Sequence, residues 1–265
     1  MISTIISTKN GSKYIAKALE SVAAQKGVEL EVVVVSDGST DATAEVVRAF
    51  AAANPSIPLR LIELKQNIGP GLARNLAILG GEAEGMTHPE CNGEYIAIID
   101  DDDILLNDHK LRNQLAALES DKRIVVVGSE KTEFAREDGT HIFWLTNRTD
   151  PDAIHANMLS YNPVITSSVL FRKDAFKSVS GFKKMYLAED YDLWLRMGLI
   201  GKISNAADAE TRYTIRDAGA SKSRMLEMAT TVLGLVREYK KSYPGYFKAI
   251  VKAYLRVAFA YIKTR

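Results

Sequence analysis

The chain has 265 residues, is 46% hydrophobic and 25% charged, and carries a formal net charge of +1. That make-up is globular; it excludes a disordered chain and gives no global drive toward nucleic acid or an anionic membrane. A single cysteine, Cys91, excludes an intramolecular disulfide and a cysteine-built metal cage, so a reducing, cytosolic setting is expected.

Ile2–Ser7 reads as a buried strand, too short for a signal-peptide core and without a basic leader. No stretch approaches the ~18–20 uninterrupted apolar residues of a membrane span. The turn Lys9-Asn10-Gly11-Ser12 leads into a helix from about Tyr14 to Gln25, with Ile15, Leu19 and Val22 at helical spacing. Glu31–Val35 is a second strand, ended by Ser36-Asp37-Gly38-Ser39, and Thr40 or Asp41 then caps a helix to about Ala53. Leu59–Leu64 is a third strand, and Gly71–Leu79 is helical after Asn67-Ile68-Gly69-Pro70. Residues 80–92 are expected to form a mobile surface loop, whose His88 and Cys91 are too few to build a metal site. Tyr95–Ile99 is a fourth strand that runs into Asp100-Asp101-Asp102-Asp103. Leu106–Ser120 reads as helix, Ile124–Gly128 and Val164–Phe171 as strands, and Lys173–Val179 and Asp190–Gly198 as helices. From about Ser223 the chain is helical, with a break at Pro244-Gly245. Strands alternating with helices imply βαβ units and a mainly parallel sheet.

Ligands of an open parallel sheet bind beyond the carboxyl ends of its strands. Here those ends carry Thr8-Lys9-Asn10, Ser36-Asp37-Gly38, Asn67 and the aspartate run, which predicts one site built from four stretches. Four adjacent carboxylates repel one another unless a cation or solvent offsets them. Strand alternation sends Asp100 and Asp102 to one side, where Mg²⁺ or Mn²⁺ could take them and complete its shell with phosphate oxygens and water. A solvated acidic turn at the start of the next helix is the structural alternative.

An ordered set of motifs resembles family 2 glycosyltransferases over roughly residues 1–221. The motifs are Thr8-Lys9-Asn10, Val35-Ser36-Asp37-Gly38-Ser39-Thr40-Asp41, Asn67-Ile68-Gly69 with Ala73-Arg74-Asn75, Gly93-Glu94-Tyr95-Ile96 and Ile99-Asp100-Asp101-Asp102-Asp103. Thr166-Ser167-Ser168-Val169-Leu170-Phe171-Arg172 and Glu189-Asp190-Tyr191-Asp192-Leu193-Trp194 continue the match. The resemblance implies an α/β GT-A fold: a mainly parallel central sheet flanked by helices, with a Rossmann-like nucleotide-binding half and a helical C-terminal extension. The implied boundaries are 1–105 for the donor half, 106–221 for the acceptor half and 222–265 for the extension. The implied activity is inverting, metal-dependent transfer of a sugar from a nucleotide-diphosphate sugar, commonly a UDP-sugar, to an acceptor hydroxyl. A bacterial polysaccharide, lipopolysaccharide or other cell-surface glycan is the expected context, in the cytoplasm or peripheral at the inner face of the membrane.

By the same resemblance, Asp37 would bond the base, Thr8 and Arg74 would line its pocket, Asn67 would belong to the nucleotide-sugar site, and Asp100 would meet the ribose. Asp102 would hold Mn²⁺ or Mg²⁺. Asp101 stands where the family usually has no carboxylate; it belongs to the nucleotide-sugar site and is read as facing away from the ion. Asp103 is expected against helix amides or solvent. Asp190 would be the catalytic base, since inversion needs one carboxylate to take the acceptor proton. Capping of its helix by Glu189 and Asp190 is the structural alternative. Glu189, Trp194 and Arg216 are candidate acceptor or phosphate contacts. Trp194, among Leu193, Leu195 and Met197, reads first as core. Arg216 stands where the family often has a histidine.

A nucleotidyltransferase would want a glycine- and basic-rich phosphate loop that Thr8-Lys9-Asn10-Gly11 does not supply. A glycoside hydrolase needs two carboxylates flanking the scissile bond. A catalytically silent nucleotide-sugar or glycan binding module is the remaining alternative. The partners implied are a nucleotide-sugar and a glycan or lipid-linked acceptor, with no nucleic acid. Arg237, Lys240, Lys241, Lys248, Lys252, Arg256, Lys263 and Arg265, interleaved with aromatics, suit either a helical pair packed on the main domain or a peripheral membrane contact.

Overall fold

The computed structural model describes residues 1–185, 187–216 and 224–264; Asp217, Ser223 and Arg265 lie outside these. Its centre is a sheet begun by β1 (Ile2–Thr8), β2 (Leu30–Asp37), β3 (Leu59–Leu64) and β6 (Tyr95–Ile98), in the order β3-β2-β1-β6 and all parallel. The valine run in β2 explains its place inside the sheet. Val32 and Val34 face one apolar cluster, Val33 and Val35 the other, and all four are buried. Each such side chain contributes roughly 1.5–3 kcal/mol on leaving water. One cluster is covered by α1 (Ile15–Ala23), α2 (Thr43–Ala53) and α4 (Lys110–Ser120), the other by α3 (Pro70–Leu79) and the later helices.

Beyond β6 the sheet becomes mixed. The next strands are β10 (Leu170–Arg172), antiparallel to both neighbours, then β8 (Ile124–Arg136), β11 (Lys202–Ile215) and β7 (Ile104–Leu105). β9 (His141–Thr146) pairs antiparallel with the far half of β8. Because β10 opposes both β6 and β8, and β11 runs parallel to β8, six of the nine described strands of this sheet share one direction, and the expectation of a mainly parallel sheet holds. The α/β class and the GT-A architecture stand, with one sheet crossing from the first half of the chain into the second.

Four local expectations change. Residues 80–92 are not a loose loop: β4 (Gly81–Ala83) and β5 (Met86–His88) form a hairpin whose turn residues Glu84 and Gly85 both take positive φ, 50° and 78°. The Glu84 carboxylate accepts the Lys65 and Gln66 amides, and Cys91 is buried. Val164–Phe171 is not one strand but a 3₁₀ turn, Thr166–Ser168, followed by β10. β8 runs eight residues past Gly128. β11 has no counterpart in the periodicity, because its middle is polar and irregular, with Asp208 at φ 56° in a register shift.

Helices α5 (Pro151–His155), α6 (Lys173–Ser178), α7 (Glu189–Ile200), α8 (Met225–Glu238) and α9 (Tyr246–Lys263) complete the fold. The last two pack on the core through Leu233, Val236, Tyr239, Tyr243, Ala249 and Ala253, as a helical pair would. Among the described residues, no helix is long and apolar enough to cross a membrane.

Candidate active site

β1, β2, β6 and the start of α7 deliver their polar residues to one edge of the sheet. The aspartate run does not continue the strand. Residues 101–102 form a turn in which the Asp103 amide donates to the Asp100 carbonyl (3.2 Å). Strand alternation is thereby broken: Asp101 and Asp102 share the Arg216 guanidinium, while Asp100 faces Arg74. Asp101, expected to face away, is buried between the Thr8 hydroxyl, which donates to it at 2.5 Å, and Arg216. Gly11 makes this approach possible, since a Cβ there would lie 2.2 Å from both Asp101 Oδ2 and Thr8 Oγ1. Asp103 is fully inside and accepts the Thr214 amide of β11 at 2.7 Å, so neither helix amides nor solvent receive it.

Burial, then the neighbouring Asp100 charge, pushes the Asp102 carboxyl up to about 7. Burial likewise raises Asp101, and burial with Asp102 and Asp100 raises Asp103 well above the usual range. The turn is thus short of positive charge, and Arg216, stacked 4.3 Å over the Tyr14 ring, supplies part of it. A hard divalent ion bound together with a diphosphate needs only one or two such carboxylates, so the donor set fits Mg²⁺ or Mn²⁺. Among the described residues, no group of three or more potential ligands stands ready without phosphate oxygens.

Arg74 joins the two ends of the site. It is 4% exposed, on α3, and reaches Asp100 at 2.5 Å and Glu189, at the start of α7, at 3.6 Å. Burial opposes its charge, but Asp100 and Glu189 outweigh burial and hold the guanidinium above its ordinary value. Burial, then Asp190, raises the Glu189 carboxyl against the pull of Arg74. Asp37 spends both oxygens on the amides of Ile68 (2.7 Å) and Gly69 (2.9 Å), fixing the entry to α3; Asn67 donates to its carbonyl. A carboxylate has about four lone-pair sites, so further donors can still be received.

Asp190 is held from three sides. Asn162 Nδ2 and Thr166 Oγ1 each donate to its Oδ2 at 2.9 Å, and the Tyr191 amide donates to Oδ1 at 2.7 Å. The 3₁₀ turn carrying Thr166 also meets the Asp100 amide through Ser167 Oγ (3.0 Å). Its Ser168 carbonyl accepts from Lys110 and Gln114, which anchor it to α4; burial pushes the Lys110 ammonium down to about 7. Sequence reasoning gave Asn162, Ser167 and Tyr14 no role. Thr166 and Ser167 lie within a quoted motif and could have been suspected; Asn162 and Tyr14 carry no local signal. Trp194 is core, as it first reads, and not an acceptor contact: it is wholly buried and edge-on to Phe171 at 6.0 Å.

A family model described as Glycosyl transferase family 2 matches residues 3–180. The chain belongs to glycosyl transferase family 2. Membership makes it one of a family of enzymes. It is 32% identical over 173 residues to the succinoglycan biosynthesis protein ExoO of Rhizobium meliloti, covering 65% of this chain but only 44% of that protein. It is 30% identical over 211 residues to the amylovoran biosynthesis glycosyltransferase AmsE of Erwinia amylovora, covering 78% and 74%. Among solved structures, mannosyltransferase PcManGT of Pyrobaculum calidifontis, in complex with GDP-Man and Mn²⁺, superposes with a TM-score of 0.70 at 20% identity, over 98% of this chain and 73% of that one. S. aureus TarS 1-349 in complex with UDP-GlcNAc gives 0.61 at 22% identity, over 89% and 66%. These two likenesses establish the shared fold.

Proposed function

We propose that this family 2 member is an inverting glycosyltransferase that moves a sugar from a nucleotide-diphosphate sugar, a UDP-sugar, to an acceptor hydroxyl in bacterial cell-surface glycan synthesis. The observation that carries the reading is Arg74, which binds Asp100 and Glu189 together and so sets the aspartate turn beside Asp190. In this reading residues 1–105 take the donor, 106–221 the acceptor, and 222–265 form a helical extension. The acceptor is a glycan or a lipid-linked glycan, met in the cytoplasm at the inner face of the membrane.

Asp37, Thr8, Asn67 and Arg74 form the base pocket, Asp100 meets the ribose, and Asp101 braces Thr8 against Arg216. Asp102 is the residue that would hold the divalent ion, which when bound supplies positive charge against the diphosphate leaving group. Asp190, fixed by Asn162 and Thr166, takes the proton of the acceptor hydroxyl. The acceptor oxygen bonds to the anomeric carbon from the face opposite the diphosphate, whose C–O bond breaks with its electron pair, and the configuration inverts. A positioned base of this kind contributes roughly 10²–10⁴-fold. Glu189 faces the transferred sugar or acceptor, and Arg216 exchanges its carboxylate partners for phosphate oxygens.

Calorimetric titration with UDP, dTDP, GDP and CDP, with and without Mn²⁺ or Mg²⁺, tests the donor site. Metal-enhanced binding of UDP that weakens in Asp102→Ala is expected. A folded sample that binds no nucleotide under any metal condition would overturn the assignment in favour of a silent binding module.

A further inference from the structure

The helix α9 has two apolar faces, and among the described residues only one is covered. Tyr246, Ala249, Ile250, Ala253, Val257 and Ala260 recur at helical spacing and lie against the rest of the fold, buried or partly so. The opposite face presents Phe247 (82% exposed), Val251, Leu255 (66%) and Ile262 (73%) in one ridge, with Phe259 at its margin. Core packing therefore does not account for these side chains. An apolar ridge of this length on a surface helix marks a contact with something outside the described fold.

Charge narrows what that something is. From Tyr239 to Arg265 the sequence has no aspartate or glutamate, but carries Lys240, Lys241, Lys248, Lys252, Arg256, Lys263 and Arg265. The whole chain is only +1, so this short segment is strongly cationic and the remainder is net acidic. Lys248, Lys252, Arg256 and Lys263 are exposed and flank the ridge along one side of the helix. Tyr254 and Tyr261, both half exposed, flank it on the other. Burial, with repulsion from Arg256 and Lys248, lowers the Lys252 ammonium, as expected where cations crowd without a counter-charge. A water-exposed apolar ridge bordered by cations and tyrosines is the pattern of a helix lying in the plane of an anionic membrane surface. A protein partner would have to offer an apolar groove edged with acids, and nothing in the exposed stripe calls for such shape.

We infer that α9 is an in-plane membrane anchor, in which Phe247, Val251, Leu255 and Ile262 enter the headgroup boundary of an anionic bilayer while Lys248, Lys252 and Lys263 pair with lipid phosphates. The helix lies on the membrane rather than across it, in keeping with the lack of a spanning helix among the described residues. It rests on the peripheral placement within the proposed function and on no step of the transfer. Arg256 is tied to the fold, since it donates to the Ser160 carbonyl (3.4 Å), two residues before the Asn162 that holds Asp190.

Vesicle flotation of the purified chain tests this, with vesicles of phosphatidylcholine alone and of phosphatidylcholine with phosphatidylglycerol. The chain is expected to float with the anionic vesicles only and to be released by salt. Phe247→Ser/Leu255→Ser/Ile262→Ser should lower partitioning at least a hundredfold, since each buried apolar side chain accounts for about tenfold. Lys248→Ala/Lys252→Ala/Lys263→Ala should also lower it about a hundredfold, at roughly fivefold per cation. All six positions are exposed, so wild-type circular dichroism and melting are expected of both variants. Equal flotation with neutral vesicles, or no flotation of a folded chain, overturns the inference. So does a wild-type dimer that the serine variant dissolves without any vesicle binding, which would make the ridge a contact between two copies. Retained nucleotide binding in both variants separates the anchor from the donor site: a wild-type chain that binds nucleotide but does not float overturns only the anchor, and one that floats but binds no nucleotide overturns only the transfer.

Discussion

Arg74 is the residue whose removal separates a working site from two unconnected clusters. Arg74→Met keeps much of the volume packed on Phe182, 5.6 Å from the guanidinium, but withdraws the cation from Asp100 and Glu189. Removing one partner of a buried ion pair costs about 3–5 kcal/mol, because the survivor keeps its desolvation without its attraction. The Asp100 side chain is 32% exposed and regains water, whereas Glu189 at 14% does not, so the cost falls at the low end, about 3 kcal/mol. The Glu189 carboxyl already stands above its ordinary 4.5, through burial and then Asp190, and loses its main opposing influence. A carboxyl raised in the folded state keeps its stability contribution below the unfolded value and loses it as pH climbs through the folded value. The deficit of Arg74→Met should therefore be small in mild acid and widest at neutral pH. Urea unfolding at both conditions, with an unchanged slope, measures it. Glu189→Gln in the same background should recover part of the loss, giving a coupling of about 1–3 kcal/mol. A loss below about 1 kcal/mol at neutral pH, or a deficit independent of pH, would refute the bridging role of Arg74.

Asp190→Asn should lower kcat by about 10²–10⁴-fold while leaving nucleotide affinity within experimental error; equal losses in both would mean that Asp190 builds the fold rather than acts on the acceptor. The unliganded chain should lose stability as pH rises from about 4 to about 7, because Asp102 moves from 3.8 to about 7 on folding. That shift corresponds to on the order of 4 kcal/mol, and Asp102→Asn should flatten the slope in a pH series of melting curves. A flat profile in the wild type would show that Arg216 already neutralises the turn. Trp194→Ala should cost about 3–5 kcal/mol in chemical unfolding and leave the acceptor KM unchanged where the variant is folded; a raised KM would return Trp194 to the site.

Much of this arrangement is visible in the linear chain. The strands Ile2–Thr8 and Leu30–Asp37 are short and rich in β-branched residues, Leu59–Leu64 is short and leucine-rich, and all three are bounded by turn residues, so their pattern and their polar ends are local properties. The polar ends then follow from topology, because parallel strands joined by helices present their carboxyl termini to one edge. β9 and β11 were not visible. β9 carries the apolar run Ile142–Leu145 with no alternation, yet it is exposed along its whole length, and β11 is polar at its centre; both pair with β8, which offers them hydrogen-bond partners.

The sequence alone determined which residue types meet: acids, Thr8 and Asn67 at the ends of successive strands, Arg74 in the helix that follows Asn67, and a Glu189-Asp190 pair at the start of a helix. Only the tertiary structure decided the pairings among them. Alternation would have grouped Asp100 with Asp102, but the turn at 101–102 gives Asp100 to Arg74 and leaves Asp101 and Asp102 to Arg216. It also decided that Asn162 and Thr166 hold Asp190. Those choices depend on contacts between segments as many as 115 positions apart, as Asp101 and Arg216 are, and no local pattern encodes such a distance.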